Sequence, residues 1–150
     1  MKPKAMSMRA FSVNIPLLDE SRNVVETQNL DASDDGKRVM LSFGEGPLSG
    51  QKFQGADYFW ELSSARIVLE HLNLLPACKG ALKCVFPGGL QGETSLGLIA
   101  YMFSDRGEVI GKVNIFENAE LKDFEMISKF CDQKAFRKSI RGGRFRFPTA

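Results

Sequence analysis

Between Lys134 and Pro148 the chain reads KAFRKSIRGGRFRFP, six cations and three phenylalanines without an acid. Lys134, Arg137, Lys138, Arg141, Arg144 and Arg146 could neutralise phosphates or carboxylates, and Phe145 and Phe147 could stack on planar groups. A structural reading competes with this one. Phe145 and Phe147 would share one face of a strand and Arg144 and Arg146 the other, because side chains alternate along a strand. An edge strand with outward arginines resists edge-to-edge pairing. Residues 141–150 are therefore a basic arm or a docked edge strand, and these eight residues form the expected partner- or nucleic-acid-binding set.

Other constellations are weaker. In DASDDGKRVMLS, Asp31, Ser33 and Asp35 hold alternating positions of a calcium loop, and Gly36 stands at its sharp turn. The position that needs a bidentate Glu is Ser42, and Lys37 and Arg38 would repel the ion. GGLQGETS resembles a phosphate-binding glycine loop, but Glu93 stands where a lysine belongs. Ser95 lacks the glycine spacing of a nucleophile elbow. The single histidine, His71, falls near the end of an expected helix, where it suits the dipole. Cys78 and Cys84 lack the second pair that a zinc site needs. Cys84 and Cys131 read as small core residues, and Cys78 as partly exposed. Asp57 and Glu61 lie one helical turn apart, which capping explains. No metal, cofactor or catalytic set is expected, and the chain is read as no enzyme.

Charge is distributed unevenly. Residues 129–150 carry seven basic residues and one acid, a balance of +6. The chain's net charge of +2 leaves −4 for residues 1–128. An acidic body with a basic end can mark a contact surface. Three cysteines without framework spacing point to a reducing compartment. The N-terminal segment has no apolar run of signal-peptide length, and no stretch reaches the ~20 apolar residues of a membrane span. A cytoplasmic location without membrane contact is expected.

The elements that would position these residues follow from periodicity. Phe11, Val13 and Ile15 alternate with polar neighbours in a first strand, which Pro16 should end. Residues 23–30 give a second strand and 37–43 a third. Residues 44–56 read as a glycine-rich loop, the least structured stretch inside the domain. Tyr58, Leu62, Ala65, Leu69 and Leu72 make one helical stripe, widened by Trp60, Ile67 and Leu74, and Pro76 stops that helix. Strands are expected over 81–86, 95–103 and 108–116, the last two joined by a turn at Gly107. Residues 95–103 should be covered on both faces. Asn118 should cap a second helix with Leu121, Phe124, Ile127, Cys131 and Ala135 facing inward. Gly142 or Gly143 should end it.

The expected fold is a single α+β domain over 1–150. It has one antiparallel sheet of about five to six strands, with two helices packed on one face. The expected function is a non-catalytic, cytoplasmic protein-binding module of adaptor, inhibitor or immunity type, contacting its partner through loops 44–56 and 87–94 and the terminal arginines. The alternative is nucleic-acid binding through the basic helix end and arm. Oligomeric state is open.

Overall fold

A computed structural model describes residues 9–87 and 95–142. The expected positions Arg144, Phe145, Arg146 and Phe147, and all but the first residue of loop 87–94, lie outside the described residues. The described residues are of mixed helix and strand content, as expected for an α+β chain, but they form two sheets where one was expected. β1 (Arg9–Leu18), β2 (Val24–Asp34), β3 (Val39–Phe43), β4 (Lys52–Gly55) and β5 (Leu75–Pro76) make a curled antiparallel sheet in the order β4-β3-β2-β1-β5. β6 (Val85–Phe86), β7 (Ile99–Phe103) and β8 (Val109–Asn114) make a second sheet in chain order. Two α-helices are described, α1 (Tyr58–His71) and α2 (Phe130–Gly142). No described helix is long and apolar enough to cross a membrane.

Pro16 does not end β1. Its carbonyl accepts the Ala77 N–H at 2.8 Å, so its missing N–H lies on the β5 side, where β1 pairs only from Leu17 onward. The glycine-rich stretch 44–56 is also more ordered than its composition suggests. Gln28, a buried polar residue, donates to the carbonyls of Gly44 and Glu45 and accepts the Leu48 N–H at 2.7 Å. Leu48 is fully buried, and β4 pairs with β3 immediately beyond it. Gly46 sits at φ +136 directly against the Gln28 side chain, where any Cβ would clash.

The first sheet and α1 enclose the larger part of the core, with Leu30, Leu41, Tyr58, Leu62, Ala65 and Leu69 all buried. The stripe on α1 is as read, except that Trp60, Ile67 and Leu72 point outward. Asp57 caps α1 by accepting the Trp60 N–H at 2.9 Å. The helix ends five residues before Pro76, as Asn73 adopts φ 61.

Of the expected 81–86 strand only Val85–Phe86 is β6: Ala81 ends a 3-10 turn (Lys79–Ala81), and Leu82 makes a single bridge to Ile127 before a turn. β7 begins at Ile99 because Leu96 and Gly97 take positive φ, and only Ala100 and Phe103 within it are buried. The β7–β8 hairpin is as read, with Gly107 at φ +83.

The second helix departs most from expectation. Residues 121–126 form a 3-10 helix, and Ile127 is extended and bridges to Leu82. That break resets the helical phase, so α2 starts only at Phe130. Leu121 is 79% exposed, Cys131 and Ala135 are exposed, and Gln133 and Ile140 face inward instead. α2 docks on α1 and lies over β6, with Phe136 against Phe86 at 6.4 Å, so the two helices do not share one sheet face as expected.

A candidate aromatic and cationic cleft between the helices

Phe130, Gln133, Lys134, Arg137 and Lys138 fall at spacings of 3, 1, 3 and 1, which places them on one face of α2. That face is turned toward Phe59 and Trp60 in the first turn of α1 and toward Phe86 of β6. Together these residues line a cleft of about 300 Å³.

The aromatic side chains fall in two groups. Phe59 meets Trp60 edge-on at 5.6 Å, and Trp60 meets Phe130 edge-on at 6.0 Å. Phe86 stacks on Phe103 at 4.4 Å. Trp60, the chain's single tryptophan, is 48% exposed. Cations sit over these rings: Lys134 Nζ lies 5.1 Å from the Phe130 centroid, and the Arg137 guanidinium lies 5.3 Å from that of Phe86. Such pairs are attractive because the ring face is electronegative. Lys134 and Lys138 are exposed. No carboxylate is among the described residues that line the cleft.

A buried polar network holds the cleft's walls together. Arg66 of α1 is completely buried. It donates to Gln133 Oε1 at 2.6 Å and to the Ser128 carbonyl at 2.9 Å, and its guanidinium lies 5.5 Å from the Phe130 ring centroid. Gln133 Nε2 donates to the carbonyls of Gly80, Leu82 and Val85 at 2.9, 3.0 and 2.6 Å. Glu70 of α1 accepts the Phe130 N–H at 2.8 Å and so caps α2 from the neighbouring helix. Among the described residues no carboxylate pairs with Arg66. Burial lowers its pKa to about 10, so it stays charged at neutral pH. Its hydrogen bonds go to carbonyl and amide oxygens, and the Glu70 carboxylate nearby opposes the loss of its charge. Beside it the Cys78 thiol is pushed up to about 11, again by burial.

Among the described residues that line the cleft there is no serine, cysteine, histidine or acid. The other sequence candidates resolve into structural roles. Asp31 and Ser33 lie within β2, and Asp35 accepts the Lys37 and Arg38 N–H groups at 2.9 Å in a hairpin turn at Gly36. Those amides hold its carboxyl below the usual range. His71 is exposed and bonds the Ile67 carbonyl of its own helix. Ser95 Oγ accepts the Ile99 N–H at 3.4 Å. Burial raises the carboxyls of both Asp57 and Glu61, and Asp57 adds to the Glu61 shift, but neither lines the cleft. Cys78 and Cys84 are buried and Cys131 is exposed, which reverses the reading of the first and the last. Among the described residues no group of three or more metal-ligating side chains comes together.

Of the eight expected contact residues, the structure brings Lys134, Arg137 and Lys138 into one site. Arg141 falls in the last turn of α2. The aromatic half of the cleft was missed. Its signal was legible in FCDQKAFRK, where Phe130 precedes cations at i+4, i+7 and i+8 on one face. The chain matches no family model and none of the curated proteins.

Proposed function

We propose that this chain is a non-catalytic, protein-binding module of a reducing, cytoplasmic compartment, and that it engages its partner through the cleft between α1 and α2. One observation carries the reading: a half-exposed tryptophan and the exposed Lys134 and Lys138 converge on one cleft, and no acid is among the described residues that line it. Tryptophan and arginine are the residues on which interface energy concentrates. The free cysteines agree with a reducing compartment.

Nucleic acid is the competing partner, since a base could stack on Trp60 and phosphates could meet the lysines. Protein is favoured because the cleft is compact, and the chain before residue 129 carries −4, which repels a polyanion.

The test is affinity capture from lysate of the native host with the wild type and with Lys134→Glu/Lys138→Glu. Both lysines are exposed, so circular dichroism should show an unchanged fold. A protein retained by the wild type and lost from the variant supports the reading. Equal retention by both, or recovery of nucleic acid alone, overturns it.

A further inference from the structure

Resting on that reading, we infer that the cleft recognises an extended, acidic segment with an aromatic anchor, in which the anchor and two carboxylates occupy alternate positions. The pattern is aromatic-x-acid-x-acid.

The spacing comes from α2. From Phe130 to Lys134 is one helical turn, and from Lys134 to Lys138 another, each about 6 Å at a rise of 1.5 Å per residue. An extended chain advances about 3.3 Å per residue, so alternate residues stand about 6.6 Å apart on one side. The two repeats match. A segment laid along α2 would seat an aromatic side chain on the exposed part of Trp60, level with Phe130, then place one carboxylate at Lys134 and the next at Lys138. The residues between would face solvent and carry no requirement.

Charge fixes the chemistry. Lys134 and Lys138 are cationic and exposed, and no acid is among the described residues that line the cleft. Lys134 is held over Phe130, which keeps its ammonium beside the anchor position. Arg66 adds a fully buried positive charge behind Phe130. A basic segment would meet repulsion, and an apolar one without acids would leave the rim unanswered.

Trp60 reports directly, because it is the only tryptophan in the chain. Its emission would be titrated with a nonapeptide containing Phe-Ser-Glu-Ser-Glu between Gly-Ser ends. The control probes are the same peptide with Phe replaced by Ser, with both Glu replaced by Lys, or with the order Phe-Ser-Ser-Glu-Glu, and a short oligothymidylate. The expected result is saturable change with the first peptide, about tenfold weaker for each control peptide, and lost in Lys134→Glu/Lys138→Glu. Equal response to the acid-free or re-spaced peptide overturns the inference while leaving a peptide-binding cleft. Silence toward every peptide overturns it as well. A response to oligothymidylate alone overturns both the inference and the functional reading.

Discussion

Replacing Gln133 by Leu should unsettle the joint between the two helices. Leu has similar bulk but can neither accept from Arg66 nor donate to the three carbonyls. The bond from Arg66, at 2.6 Å, joins a charged donor to a buried acceptor. Losing a bond of that type costs about 1.5–3 kcal/mol. Of the carbonyls, Leu82 keeps the Val85 N–H at 3.0 Å, and Gly80 keeps a long contact of 3.4 Å to Arg66. Val85 loses its 2.6 Å partner. One or two buried carbonyls left short add about 1–3 kcal/mol, partly offset by the apolar gain of Leu. The net expectation is a loss of about 3–5 kcal/mol, or roughly 10–15 °C in Tm for a chain of this size. Urea unfolding followed by circular dichroism would measure it. Arg66→Met in the same background should recover part of the loss, by about 1 kcal/mol or more beyond additivity, because the stranded charge is then gone. A loss below about 1 kcal/mol for Gln133→Leu, or strict additivity of the pair, would refute the reasoning.

Other consequences are open to measurement. Tyr58→Phe removes the hydroxyl that donates to Asp34 Oδ2 at 2.7 Å in a fully buried site, and should cost about 1.5–3 kcal/mol by the same unfolding assay; no change would mean that Arg9 and the Gly36 N–H suffice for the Asp34 carboxylate. The Cys78 thiol is raised to about 11 in the fold. From about pH 9 the unfolded chain loses this proton while the folded chain keeps it, so stability should fall as pH rises from 9 toward 11. Cys78→Ala should remove part of that fall, the Cys84 thiol, raised by burial in the same direction, keeping the rest, and an unchanged slope would count against it. A thiol reagent added to folded protein should label Cys131 first, and Cys131→Ser should remove the fast phase; a fast phase that persists would contradict the burial of Cys78 and Cys84.

The sequence carried the strands and hairpins well wherever alternation was strict. Phe11, Val13 and Ile15 set the face of β1, and Gly107 set the turn between β7 and β8. It failed where tertiary contacts overrode local pattern. Apolar spacing from Leu121 to Ala135 looks like one helix, yet the bridge from Ile127 to Leu82 breaks it and shifts the inner face to Gln133 and Ile140. The division into two sheets was illegible for a similar reason. β5 and β6 are two residues each, too short to show alternation, and β5 pairs with β1, far away in sequence. The cationic half of the cleft was visible as Lys134, Arg137 and Lys138. Its aromatic half depends on how α1 and α2 approach each other, which rests on Arg66 and Gln133. A buried arginine inside an apolar helix stripe has no periodic signature.

The most direct test of the cleft is a photo-crosslink. A photoreactive phenylalanine at position 64, exposed one helical turn beyond Trp60, would be compared with one at position 110, an exposed site on β8. Each variant would be irradiated with the partner that the wild type captures. A cleft contact predicts crosslinking from position 64 into an acidic segment of that protein and none from position 110. Crosslinking from position 110 alone, or from neither, would contradict it.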